Sequence, residues 1–239
     1  MLLQAGSFLY HLAIGHWFSG SCTQFSHFED YMPNPDTEKN TRTCCGVKIL
    51  TSQHKDIRRI RRKQETPSIH GNKFWGSSYL LMNYLEDNPP EHGCKVLELG
   101  CGWGLAGIHC AKKFEAEVTG IDADDAVFPY LQLHAQHNGV EITTQKRYFE
   151  KITGRQLAEY DLIIAADICF WDELADSVYK LINRACKAGV GKIVIADPER
   201  PPFFDMAQRC VEQYYGELLQ RAVDEPRRAS GCLLVIENN

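Results

Sequence analysis

Short apolar runs alternate with longer amphipathic stretches along most of this chain. Lys95–Leu99 and Val118–Ile121 are compact apolar runs, and Leu105–Phe114 between them carries apolar positions at helical spacing. Upstream, Tyr79, Leu80, Leu81, Tyr84 and Leu85 predict a helix over Ser77–Leu85, which Asn88-Pro89-Pro90 stops. Downstream, Val127–His137 reads as a helix ended by Asn138-Gly139, and Thr143–Tyr148 as a further strand. Asp161–Ala166 and Lys192–Ala196 are apolar without alternation, as expected of strands covered on both faces. Leu174–Ala188 and Phe204–Tyr215 predict helices, and two short strands near Gln220–Val223 and Leu233–Ile236 close the pattern. Strands alternating with helices predict an α/β fold with a doubly wound parallel sheet and a ligand at the carboxyl ends of its strands.

One stretch carries most of the chemical information. Val96-Leu97-Glu98-Leu99-Gly100-Cys101-Gly102-Trp103-Gly104 is followed by Thr119-Gly120-Ile121-Asp122. This is a strand, a glycine turn, a helix, a second strand and a carboxylate. Glycine suits a turn in which backbone must pass close to a ligand, where a Cβ would clash. Asp122 at the strand tip is placed to accept hydrogen bonds from a ribose diol. Gly102–Gly107 also matches the dinucleotide pattern G-x-G-x-x-G, but Glu98 stands beside the turn. A carboxylate repels a pyrophosphate and attracts a cation. S-adenosylmethionine has a sulfonium, an ammonium and no phosphate, so Glu98 favours it over a nicotinamide dinucleotide.

Composition changes this picture little. The chain has 239 residues, 44% hydrophobic and 24% charged, with a formal net charge of -5, which gives no global case for nucleic-acid or membrane binding. Its 10 cysteines form no C-x-x-C pair and fall partly in core elements, as buried reduced thiols in a cytosolic protein would; no metal site is expected. Met1–Phe18 is fairly apolar, yet Gln4, His11, Gly15 and His16 interrupt it, and it is too short for a membrane span. Residues 1–46 are expected to be a disordered or non-core extension, with a linker at Asn34–Asn40, and residues 47–239 the functional domain. Arg58–Lys63 is the strong basic run; a solvated arm is the expectation, contact with nucleic acid the alternative.

The glycine motif with Asp122 resembles the class I S-adenosylmethionine-dependent methyltransferases. Three further segments are similar to the seven-β-strand lysine methyltransferases, including those of the electron-transfer-flavoprotein β-subunit. They are Lys73-Phe74-Trp75-Gly76-Ser77-Ser78, Asp167-Ile168-Cys169-Phe170 as a D-x-x-Y/F signature, and Asp197-Pro198-Glu199-Arg200-Pro201. The resemblance spans about residues 47–239 and implies a mostly parallel seven-stranded sheet with helices on both faces. It implies that Gly100, Cys101 and Gly102 pass under the methionine part of the cofactor and Asp122 binds the ribose. Tyr148 or Phe149 would flank the adenine, Ala166 line the pocket floor and Trp75 cover the cofactor. Where the group often has Trp after the third strand, this chain has Tyr148-Phe149.

A lysine nucleophile must be neutral, against a free pKa of about 10.4. A nearby sulfonium and an apolar pocket both lower that value, whereas Asp167 alone raises it. Asp167 is therefore expected to orient the amine's N–H groups rather than act as a base, with Phe170 and Trp171 as walls for the lysine stem. The bland alternative makes Asp167 a cap and Phe170 core. The expected activity is methylation of a protein lysine by a cytosolic monomer. A small-molecule or RNA methyltransferase, or an inactive cofactor-binding module, is the alternative. The chain lacks the Asn/Asp-Pro-Pro-aromatic tetrad of nucleic-acid amino-methyltransferases after its fourth strand, which counts against base methylation.

Overall fold

The computed structural model describes residues 39–63, 67, 71 and 73–238. A hairpin comes first: β1 (Thr41–Cys44) pairs antiparallel with β2 (Val47–Leu50) around a Cys45-Gly46 turn. Thr41–Cys44, placed in the expected extension, thus supplies half of a ladder with β2. Of the extension expected over residues 1–46, residues 1–38 lie outside the described residues. Next comes α1 (Lys55–Lys63), which places the basic run on a helix. Ile57 is buried and Ile60 half-buried, while Arg58, Arg59, Arg61, Arg62 and Lys63 face solvent.

The main body opens with α2 (Ser77–Asp87) and continues as β3 (Lys95–Leu99), α3 (Leu105–Phe114), β4 (Glu117–Asp122) and α4 (Phe128–Asn138). Then follow β5 (Thr143–Lys146), a single helical turn α5 (Gly154–Leu157), β6 (Leu162–Ala166) and α6 (Asp172–Lys187). The chain ends with β7 (Lys192–Asp197), α7 (Pro201–Tyr214), β8 (Glu217–Val223) and β9 (Ala229–Glu237). Seven strands form one sheet in the order β5-β4-β3-β6-β7-β9-β8. The β5-to-β7 pairs are parallel, and β9 runs antiparallel to both of its neighbours. The order reverses beside β3, which sets a crevice at the carboxyl ends of β3, β4 and β6.

Two cores sandwich the sheet. Val96, Val118, Ile164 and Val194 point to α2, α3 and α4, while Leu97, Leu99, Ile163, Ile193 and Ile195 point to α6 and α7. Both faces are covered, which is why these strands read as unbroken apolar runs. Strand β5 is shorter than expected and ends at Lys146; Phe149–Lys151 forms a helical turn instead. Strands β8 and β9 are longer than expected, because their antiparallel ladder runs from Glu217 opposite Val235 to Val223 opposite Ala229. No described helix is long and apolar enough to cross a membrane.

Helix α4 holds the hairpin by side chains. His134 Nε2 accepts from Leu50 N at 3.1 Å while its Nδ1 lies 2.7 Å from Tyr130 O, so the ring is neutral with the proton on Nδ1. One turn later, Asn138 accepts from Lys48 N at 2.8 Å and donates to Lys48 O at 2.9 Å. Burial pushes the His134 imidazole down to about 4 from 6.5. A depressed histidine contributes stability that is complete above about 6.5 and is lost as pH falls toward about 4. We expect His134→Leu to cost about 1–3 kcal/mol in urea unfolding at neutral pH, because it orphans the buried Leu50 N–H. The same variant should show a shallower loss of stability between pH 6.5 and 4 than the parent.

Candidate active site

The crevice at the strand ends is a cavity of about 350 Å³. Every site residue singled out in the sequence lines it. From the glycine turn come Glu98, Gly100, Cys101 and Gly102; from the tips of β4 and β5, Asp122, Tyr148 and Phe149; from β6 onward, Ala166, Asp167 and Phe170; and from the entry to α2, Trp75.

The turn after β3 is left-handed at Gly100, Gly102 and Gly104, with φ of 58°, 51° and 73°. A Cβ on Gly100 would stand 2.7 Å from Ile168 Cγ2. Nothing stands within 4 Å of a Cβ on Gly102, so that backbone is bare toward the cavity. Asp122 holds the turn in place: one carboxylate oxygen accepts from Gly102 N at 3.1 Å and the other from Asp124 N at 3.0 Å. Burial lifts the Asp122 carboxyl above the ordinary range, and those two N–H groups draw it back.

Glu98 is buried, only 5% exposed. Burial pushes its pKa up to about 8, against the pull of the Gly107 and Ala106 N–H groups in the first turn of α3. Gly107 is needed there because its Cβ would lie 2.5 Å from the Glu98 carboxylate. Asp167 is also buried, with a left-handed φ of 58° unusual for a side-chain-bearing residue. Its Oδ2 accepts from Ser77 N at 3.1 Å, at the start of α2, and its Oδ1 meets Arg200 Nη1 at 2.7 Å. Asp167 therefore caps a helix, but that of α2 rather than of the segment following it. Arg200 also pairs with Asp197 at 2.8 Å. Burial raises the Asp197 pKa to about 6, and Arg200 pulls it back toward the ionised form.

Aromatic rings line the mouth. Trp75 and Phe170 meet edge-on at 5.4 Å, and the exposed ring of Trp171 lies beyond Phe170 at 6.1 Å. Of the two candidate adenine neighbours, Phe149 reaches the glycine turn, while Tyr148 is 56% exposed.

A cavity with two buried carboxylates, Glu98 and Asp167, the half-buried Asp122, a bare glycine backbone and no lysine or arginine among its β3 and β4 residues suits a cationic nucleoside and disfavours a pyrophosphate. The sequence of residues 96–189 matches the model of a methyltransferase domain. This match supports a class I S-adenosylmethionine-dependent methyltransferase. The chain is 29% identical over 131 residues to the electron transfer flavoprotein beta subunit lysine methyltransferase of Xenopus laevis, covering 54% of this chain and 52% of that protein. It is 27% identical over 154 residues to a ubiquinone biosynthesis O-methyltransferase of Pseudomonas aeruginosa, covering 62% and 63%. Among solved structures, a T. thermophilus 16S rRNA N2 G1207 methyltransferase with AdoMet and guanosine aligns at a TM-score of 0.57 and 21% identity, over 83% of this chain and 50% of that one. The chain thus spans about half the length of the lysine methyltransferase relatives it matches.

Two residues of the methyltransferase domain were not legible as site residues. Trp103 is buried, stacks on Tyr130 at 4.9 Å and donates to Gly71 O at 2.9 Å. With Phe74 edge-on at 4.7 Å, it holds the segment that delivers Trp75 to the mouth. Arg200 sat in the Asp197–Pro201 segment, which carried a resemblance but no role for this side chain. Only the fold of β6 against β7 brings it to Asp167, which is 33 positions away in the chain.

Two outcomes follow from this geometry. Gly102→Ala should fold, with a melting temperature within a few degrees of the parent, yet bind S-adenosylhomocysteine at least about tenfold more weakly by calorimetry, because its methyl fills bare cavity. Glu98, raised to about 8, should make cofactor affinity rise with pH: a bound ammonium favours the ionised acid, so binding expels its proton. Between pH 6.5 and 8.5 the affinity should increase roughly tenfold, and Glu98→Gln should flatten that slope. In the ligand-free protein the sign reverses, and stability should fall as pH climbs from 4.5 to about 8.

Proposed function

We propose that this chain transfers a methyl group from S-adenosylmethionine to the side-chain amine of a lysine in a protein. The observation that carries the reading is the pairing, in the cofactor cavity, of buried Asp167 with the aromatic walls Trp75 and Phe170. A long cationic side chain is recognised by such a set: rings along its stem and a carboxylate for its N–H groups. The lysine methyltransferase relative, although distant, supports the same class of acceptor. The scatter of the cysteines through the core elements supports a reducing compartment, and we place the reaction in the cytosol, carried out by a monomer.

In this reading Asp122 receives the ribose, Glu98 and the Gly100–Gly102 backbone bound the methionine end, and Phe149 with Tyr148 bounds the adenine. Ala166 keeps the floor low, and Trp75 lies across the mouth. Bound S-adenosylmethionine supplies an electrophilic methyl on a sulfonium. The chain's own part is to align the amine lone pair and to exclude water, so that most of the acceleration comes from positioning. Asp167, fixed from behind by Ser77 N and Arg200, holds the amine N–H groups without moving. Arg200 also offsets the tendency of Asp167 to keep the lysine protonated, which favours the neutral nucleophile.

The test uses cofactor carrying a labelled methyl group and a ribonuclease-treated lysate. Label recovered as N-methyl-lysine after acid hydrolysis is the expected result, and label confined to nucleic acid or small molecules would sink the assignment. Asp122→Ala should abolish S-adenosylhomocysteine binding. Asp167→Asn should keep binding within about threefold while lowering turnover by roughly 10²-fold or more, as expected for loss of alignment.

A further inference from the structure

A second depression adjoins the cofactor cavity and shares Lys73, Phe74, Trp75, Trp103 and Asp167 with it. Its far walls are β1, the loop after β7 and the β8–β9 hairpin, and its cavity volume is about 530 Å³. The charge along it is one-sided. Arg42 comes from β1, Lys73 from the segment before α2, Arg200 from the head of α7, and Arg227 and Arg228 from the hairpin. The one carboxylate in its lining is Asp167, already paired with Arg200. Asp224 and Glu225 stand in the same hairpin but do not line the groove.

These cations come from distant parts of a chain whose net charge is -5, so overall basicity does not explain their convergence. Arg42, Arg227 and Arg228 are exposed, and no described carboxylate forms an ion pair with any of them. Arg42 from β1 and Arg227 from the hairpin line the same depression as buried Tyr79 of α2. Such a surface focuses a positive potential at the entrance to the active site.

We propose that this groove binds the acceptor on either side of its target lysine, and that the acceptor is an acidic polypeptide segment. The inference rests on the protein-lysine reading above. Glutamates or aspartates flanking the lysine pair with Arg42, Arg227 and Arg228, while the lysine turns past Trp75 into the cofactor cavity. An acidic neighbourhood by itself raises a lysine pKa, and the groove removes that obstacle by neutralising the flanking carboxylates as they dock. An extended peptide fits between the hairpin and β1. A polynucleotide is disfavoured because, of the four aromatic residues that line the groove, Tyr79 and Trp103 are buried and Phe74 packs edge-on against Trp103, which leaves no row of open rings on which bases could stack.

Fluorescence anisotropy on the full chain saturated with S-adenosylhomocysteine tests this with labelled probes. One is a peptide with a central lysine between glutamates, the second replaces every glutamate by glutamine, and the third is a single-stranded RNA of equal charge. The glutamate peptide should bind about tenfold more tightly than the glutamine peptide, and the margin should shrink as sodium chloride rises. The double variant Arg227→Glu, Arg228→Glu should erase the margin while its S-adenosylhomocysteine affinity and melting temperature stay unchanged, because both side chains are exposed and outside the cofactor cavity. Equal affinity for the two peptides, or a margin that survives in the double variant, would overturn the proposal. RNA bound more tightly than the glutamate peptide would overturn it in favour of a nucleic-acid groove. Methyl transfer to the peptides, read in parallel by mass from S-adenosylmethionine, separates the two claims. Transfer to both peptides at one rate with no binding margin removes the groove alone; a full margin with no transfer removes the lysine acceptor alone.

Discussion

The site depends on one constraint: at the carboxyl end of β3 the chain must turn where a Cβ has no room. Gly100 would strike Ile168, Gly104 would strike Leu131 and Gly107 would strike the Glu98 carboxylate, at 2.7, 2.6 and 2.5 Å respectively. These contacts tie the turn to the segment after β6, to α4 and to β3 itself. The turn is thus rigid on its protein side and bare at Gly102 on its cavity side. A ligand can approach the backbone there without the protein rearranging, and catalysis by positioning requires that kind of stiffness.

Buried carboxylates add a second regularity. Strands β4, β3, β6 and β7 are neighbours, and each brings one acid to the same edge: the half-buried Asp122 and the buried Glu98, Asp167 and Asp197. Main-chain N–H groups soften the burial of each. Gly102 N and Asp124 N serve Asp122, the start of α3 serves Glu98, Ser77 N serves Asp167, and Arg200 N serves Asp197. None of these four strands adds a lysine or arginine to the cavity, whose cations Lys73 and Arg147 come from the segment before α2 and the loop after β5, so the edge at the strand ends stays negative for a cationic cofactor. Arg200 joins the last two and marks where the negative interior ends and the basic groove begins.

Much of this was legible from residue order. Covered strands announced themselves as apolar runs, and the glycine spacing with Glu98 and Asp122 placed the cofactor turn. Boundaries moved where tertiary pairing overrode local pattern. Strand β9 extends from Ala229 to Glu237 because it is hydrogen-bonded on both sides, by β7 and β8. Strand β1 was hidden because Thr41-Arg42-Thr43 is polar and its ladder is secured from outside, through β2, by His134 and Asn138. The charge run Arg58–Lys63 looked like an arm, yet Ile57 alone among its neighbours is fully buried and holds the helix to Trp103 and Tyr130.

What the sequence determined by itself is the kind of fold and the kind of cofactor. Both rest on local rules: the period of apolar residues, the spacing of glycines, and a carboxylate at a strand tip. What only the tertiary structure decided is which charges meet. Asp167 faces Ser77 and Arg200 because α2, β6 and the loop after β7 close on one another. Arg42, Lys73 and Arg227 share a groove because the hairpin, the entry to α2 and the last two strands do the same. Charge pairing depends on distance in space, and residues that are far apart in the chain carry no local mark of it.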